Sequence, residues 1–385
     1  MNKRFHSRSR GALSLLTLVL LATAACGGGE PADPVSAGAA DDSAAVETAA
    51  AEPEFLYVAS QSGPALSVID MNAREVVETI WLTDLGFTAN AKPHDVAVEP
   101  DGSFWYASLI ADGRVLKFNR DNELVGQADF ETPGLMAIDP VADVLYVGRS
   151  MAAANPPQRI GLITRSDMAI DEYDVFFPRP HAIAAAPGGG RVFTASLAVN
   201  QIASVSPEDD DLEIVNVDGD PHTFVQFVVS PDGTRLVTAG QISGEVMVFD
   251  VTDARIPELV TSFPIGGQPW HPVYSPDGRF VYFPQRTSNS VAVVDTETWE
   301  VVASIEGPGL AEPHGSAISA DGRTLWVSGR NTEAVYPTTI ERTSAATAGE
   351  ALPAGTVVAI DTETRQIIAV LEVPAYAAGI STRLR

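Results

Sequence analysis

From residue 54 onward, apolar residues fall in runs of about five or six, with no three-and-four spacing of an amphipathic helix between them. The runs recur in a fixed order. A short strand such as "HDVAVEP" leads into a tight turn, commonly Asp-Gly: Asp101-Gly102, Asp232-Gly233, Asp277-Gly278 and Asp321-Gly322. Glycine supplies the positive φ that reverses the chain there without steric cost. A second strand rich in aromatic and β-branched residues follows ("SFWYAS", "RVFTAS", "FVYFPQ", "TLWVSG"). A third ends in Asp ("MVFDVTD", "AVVDTET", "VAIDTET"), whose carboxylate caps the next turn, and a fourth closes the unit.

Repeat starts at Pro93, Pro133, Pro180, Pro221, Pro269 and Pro313 lie about 40–50 residues apart, the period of a propeller blade of four short strands. The ends supply a seventh. Residues 54–82 hold three strands without the first, and residues 374–382 ("PAYAAGIST") hold a first strand without the rest. The sequence therefore predicts an all-β, seven-bladed β-propeller of four-stranded antiparallel blades over 54–385. The C-terminal strand pairs with the N-terminal blade to close the ring and remove free edges. "LYVASQSGPALSVIDMNAREVVETI" and "DGRFVYFPQRTSNSVAVVDTETWEVVASI" resemble the YVTN-type seven-bladed propeller family. That resemblance implies the fold. It leaves function open among binding scaffolds, lactonase-like enzymes and redox proteins.

Residues 1–25 read as an export signal: a basic start (Lys3, Arg4, Arg8, Arg10), a short apolar stretch, then small residues. "TAAC" resembles the lipobox of bacterial lipoproteins, although Thr23 stands where that family usually has leucine. The resemblance implies lipidation of Cys26 and a membrane anchor, with Gly27 pointing to the outer membrane of a Gram-negative cell. Plain cleavage with a free thiol is the other reading. Cys26 is the only cysteine, so no disulfide forms within the chain. Residues 26–53, Gly-, Ala- and acid-rich, read as a disordered tether. Without the four basic signal residues, 20 Lys and Arg face 50 acids, a net charge of −30. So acidic a protein repels nucleic acid, and a monomer is expected.

Five of the six histidines stand in Pro-His neighbourhoods at the blade starts. His94, His181 and His314 share one register, six residues before the turn, and are expected to project toward the axis. His271 lies one place later, with Trp270 in the equivalent position, and His222 three places earlier. Gly134 and Ala375 take the place in the other blades. Arg149, Arg286 and Arg330 follow second strands, so topology puts them on the same upper face as the histidines. The long segment after Arg330 is a candidate lid. "SPEDDD" (206–211) falls on the opposite face and reads as a solvated acidic turn rather than a calcium loop.

Three readings of the histidines stand. One is structural, with imidazoles bonding carbonyls in a water-filled channel. A second is a polar funnel for an anionic small molecule, with Arg149, Arg286 and Arg330 as the receiving forks. The third is a copper or zinc site formed by His94, His181, His314, His222 and His271. In that plan the chain resembles nitrous oxide reductase, whose hub histidines hold a copper cluster, but it lacks that enzyme's cupredoxin domain and cysteine ligands. No Ser-His-Asp spacing, zinc-protease helix or phosphate-cradling glycine loop is present. The expected function is an envelope ligand- or protein-binding scaffold; the alternatives are a copper-dependent redox enzyme or a lactonase-like hydrolase.

Overall fold

The computed structural model describes residues 54–151, 158–340 and 352–382. The signal, Cys26 and tether readings lie outside them. Among the described residues, twenty-eight strands form seven four-stranded antiparallel sheets, the predicted seven-bladed propeller. The first blade takes β1 (Phe55–Ser60), β2 (Ala65–Asp70) and β3 (Glu75–Trp81). The second runs β4 (Pro93–Val98), β5 (Phe104–Leu109), β6 (Arg114–Asn119) and β7 (Leu124–Asp129). The third has β8 (Pro133–Ile138), β9 (Val144–Arg149), β10 (Arg159–Thr164) and β11 (Ile170–Asp174). The fourth has β12 (Pro180–Ala185), β13 (Val192–Ser196), β14 (Gln201–Ser206) and β15 (Asp211–Asn216). The fifth has β16 (Phe224–Val229), β17 (Arg235–Gly240), β18 (Glu245–Asp250) and β19 (Glu258–Pro264). The sixth has β20 (Val273–Tyr274), β21 (Phe280–Gln285), β22 (Ser290–Asp295) and β23 (Glu300–Glu306). The seventh has β24 (Pro313–Ile318), β25 (Thr324–Gly329), β26 (Gly355–Asp361) and β27 (Ile367–Val373). The last strand, β28 (Ala377–Thr382), returns to pair with β1, and Thr382 Oγ1 donates to Phe55 O at 2.7 Å.

Burial explains the composition of each strand. Second strands such as β5 and β25 are buried along almost their whole length, because a blade packs on both neighbours. They therefore read as continuous apolar runs rather than alternating ones. Outer strands such as β3 and β23 keep all but one position exposed or half-buried. Between the first two blades Trp105 stacks on Tyr57 (4.5 Å) and Phe118 (4.2 Å). The turn chemistry is as expected: Asp232 Oδ1 accepts the Thr234 N–H at 3.0 Å, with Gly233 at φ 73°, and Asp295 accepts from Glu297 N at 2.9 Å.

Ring closure demands close backbone approach on β28. A Cβ on Gly379 of β28 would lie 2.5 Å from Asp95 Cα and 2.6 Å from His94 O. Backbone cannot yield as a side-chain tip can, so Gly379→Ala is expected to destabilise by about 1–3 kcal/mol, read as a lower melting temperature.

Candidate functional site at the hub

One residue with left-handed backbone precedes every inner strand: Lys92, Thr132, Arg179, Thr223, Gln268, Glu312 and Tyr376, with φ from 47° to 64°. In each blade its carbonyl accepts the N–H of the residue just after the second strand, as in Ile110 N to Lys92 O and Arg330 N to Glu312 O. In several inner strands the ladder then slips, for example between Pro93 and Asp95, Pro180 and Ala182, and Pro313 and Ser316. His94, His181 and His314 sit inside these three bulges, which re-aim side chains at the ring's edge.

The rings meet at the centre. His94 lies 5.9 Å from His181 and 6.2 Å from His314, centroid to centroid, and His271 lies 4.5 Å from His314. All four are buried. His222 stands apart, because the left-handed residue of its blade is Thr223, so Pro221 and His222 precede the inner strand. Its Nδ1 meets Ser243 Oγ at 2.9 Å and its Nε2 meets Asp218 O at 3.1 Å. The first blade shifts likewise. Its left-handed residue is Tyr376, so Ala378 rather than Ala375 holds the histidine place.

Burial holds these imidazoles neutral. It lowers His94 to about 3, helped by His181 and Arg330, and His181 to about 4; His271 and His314 also fall well below the ordinary value, burial again leading. His181 Nδ1 lies 2.9 Å from Val225 O, which can only accept, so Nδ1 carries the proton. Gln61 Oε1 takes the same role at 3.1 Å from His94 Nδ1. The Nε2 atoms of both rings thus present lone pairs. Together with His271 Nε2 and both nitrogens of His314, they are buried without a partner among the described residues. No three His, Cys, Asp or Glu side chains among the described residues are disposed to share one metal ion.

Arg330 supplies the charge. Its guanidinium carbon lies 4.2 Å from the Trp270 ring centroid and 4.8 Å from that of Tyr376. Its Nε has no hydrogen-bond partner among the described residues. Burial lowers it to about 10, opposed by Tyr376. Glu312 acts on it but is committed elsewhere, to Arg286 Nη2 at 3.4 Å and to Thr332 N at 2.7 Å. Arg286 therefore sits at the same mouth, already paired.

Arg149 does not join them. It is the last residue of β9, one place before the rim position that Ser150 takes. Its side chain is fully buried, stacked on Phe130 (3.9 Å), paired with Glu172 (3.2 Å) and donating to Glu131 O (2.5 Å). Of the long segment after Arg330, residues Thr339 and Ile340 bind Glu372 on outer strand β27 (2.7 and 2.9 Å), away from the channel mouth; 341–351 lie outside the described residues. The "SPEDDD" turn is less free than a solvated one: Asp211 pairs with Arg191 (2.6 Å) and Arg255 (3.2 Å).

Gln61, Tyr376 and Asp95 were not singled out from sequence. Gln61 could have been, since it follows its second strand as Arg286 and Arg330 do.

No family model matches the chain. The protein YncE of Salmonella typhi is 28% identical over 139 residues, 36% of each chain. The 6-phosphogluconolactonase of Enterobacter sp. strain 638 is 29% identical over 144 residues, 35% of this chain and 42% of that protein. The aligned region thus spans well under half the length of these curated relatives. Among solved structures, a functionally unknown protein from Desulfotomaculum acetoxidans superposes with a TM-score of 0.67 at 14% identity, covering 86% of this chain and 99% of that one. A putative 6-phosphogluconolactonase from Bacteroides uniformis gives 0.62 at 15% identity, covering 86% and 100%. At such identities the structural likeness shows a shared seven-bladed propeller fold.

Proposed function

We propose that the hub binds a small hydroxylated organic anion, a sugar acid or sugar phosphate, with Arg330 as the receiving charge. The observation that carries this is a buried guanidinium, held between two aromatic faces, with no carboxylate of its own among the described residues. Arginine's fork suits carboxylate and phosphate, and burial strengthens the pair. The imidazoles refine the class. Neutral rings offering Nε2 lone pairs repel a bare anion and accept from hydroxyls, so charge on Arg330 and hydroxyls on His94 and His181 fit one ligand. Binding is favoured over catalysis by magnitude. A base of pKa about 3 or 4 takes a proton at pH 7 only at a cost of about 4–5 kcal/mol.

A lactonase-like reaction is the second reading, favoured by the partial sequence similarity to 6-phosphogluconolactonase. A bound phosphate would raise the imidazole pKa and bring one nearer to base strength. In either case the protein works as an exported propeller anchored through Cys26, its upper face toward the ligand.

Calorimetry with 6-phosphogluconate at pH 7 tests the reading. Arg330→Met keeps the length and loses the charge, and is expected to weaken binding ten- to a hundredfold, roughly the worth of one charge-assisted hydrogen bond. Equal affinity in the variant, or no binding to the native chain, overturns it. Hydrolysis of the corresponding lactone, lost in Arg330→Met, would select the second reading.

A further inference from the structure

The inner strands run from the histidine mouth toward the Asp-Gly turns, and below the imidazoles the channel opens into a cavity of about 360 Å³. The residue after the histidine place forms its polar belt. Asp95, Gln226 and His271 hold that position on three blades, while Leu135, Ala182, Gly315 and Gly379 hold it on the others. Val96, Met136, Phe227 and Ile380 make much of the remaining wall. A pocket of this size, mostly apolar with a few convergent polar groups, has the build of a small-molecule site.

Among the described residues, Asp95 is its only carboxylate, and no lysine or arginine lines it. One job of Asp95 is structural: Oδ2 accepts the Met136 N–H of the next blade at 2.8 Å. That job needs no charge. Gln226 does the same between the fifth and fourth blades, its Oε1 accepting the Ile183 N–H at 3.1 Å. The charge on Asp95 is therefore surplus to the fold, and it faces a chamber with no cationic side chain among the described residues. Burial raises its pKa to about 7, against the N–H bonds of Met136 and Val96.

We propose that this lower chamber is a second binding site, taking a compact primary alkylammonium ion whose charge sits on Asp95. A metal ion is the poorer occupant, since one carboxylate and one imidazole fall short of a coordination shell. An ammonium needs one counter-charge, acceptors for its N–H groups and apolar surface for its alkyl chain. Asp95, the Ser316 hydroxyl and Phe227 with Ile380 supply them.

The test is calorimetry on the full chain with n-butylammonium chloride in an amine-free buffer, with 1-pentanol as the uncharged comparison. Binding of the ammonium and not the alcohol is expected at pH 8, weakening about tenfold at pH 6 as Asp95 takes up a proton. Of the other titratable groups, His271 faces the chamber and His94 precedes Asp95 on β4. Both are held neutral throughout that range, and Ser108 of β5, Met136 of β8 and Gly379 of β28 bring no charge. Asp95→Asn keeps the acceptor for Met136 and is expected to keep the melting temperature while losing at least tenfold in affinity. Equal binding of 1-pentanol, no binding of the ammonium, or affinity constant between pH 6 and 8 in the native chain overturns the proposal. Unchanged binding in a folded Asp95→Asn protein does so as well.

Discussion

Acidification from pH 7 to 5 is expected to cost this protein about 5 kcal/mol of stability, above the range where surface carboxylates titrate. His94, His181, His271 and His314 are neutral in the folded state, with pKa values of about 3 and 4 for the first two and well below the ordinary value for the others. Their unfolded value is about 6.5. A depressed histidine pKa means that the unfolded chain binds the extra proton. The stability is intact above pH 6.5 and is lost as pH falls toward the folded values. Asp95 works the other way. With a folded pKa of about 7, it holds a proton that the unfolded chain releases near pH 4, so its contribution is lost as pH rises through 7. Near pH 5 the balance is four protons gained and one released on unfolding, a slope of about 4 kcal/mol per pH unit. The slope is shallow near pH 7, where most unfolded-state imidazoles are already neutral, so the loss integrated from pH 7 to 5 is about 5 kcal/mol, comparable to the low end of a typical stability of about 5–15 kcal/mol. Melting temperature followed between pH 7 and 5 checks this. His94→Gln/His181→Gln is expected to reduce the slope to about 1.4 kcal/mol per pH unit, and a flat native profile would refute the coupling.

Ending the chain at Pro374 is expected to abolish cooperative folding. The truncation removes β28, whose Ala377, Ala378 and Ile380 are buried and whose backbone pairs with β1. It also removes the Ala378 carbonyl that accepts from Ser328 Oγ at 2.6 Å. Two consequences compound. The first blade loses its inner strand, and β1 acquires a free edge suited to pairing with another chain. Light scattering and a thermal melt would show aggregation without a sigmoidal transition. A synthetic peptide of residues 375–385 is expected to restore the transition in trans, by adding the missing strand back to that edge. A sharp melt near the native temperature without the peptide would show that closure is dispensable.

The architecture was legible because its causes are local and repeated. Asp-Gly turns, third-strand aspartates and unbroken apolar second strands each act within a few residues. The hub was less legible, because its geometry is set one residue at a time. Arg149 and Arg330 look alike in sequence, each following a second-strand run. One closes the strand and turns into its blade; the other stands one place later, on the rim. Pro221 places His222 at a blade start, three places out of register with the ring, and the chain turns inward only at Thr223. Asp95 escaped notice because a single carboxylate in a strand carries no motif. Its meaning comes from Gln226, which does the same structural work without charge from 131 residues away.

The seven left-handed residues at the rim have a consequence for how such a molecule changes over time. None is glycine, and their side chains are of six kinds: lysine, threonine, arginine, glutamine, glutamate and tyrosine, with threonine used twice. The backbone posture is therefore imposed by the closed ring and does not depend on which side chain stands there. The mouth is a socket of seven independently exchangeable positions on an invariant mount. A descendant of this chain could acquire a new ligand by replacing Tyr376 or Glu312 while every strand below stays in place.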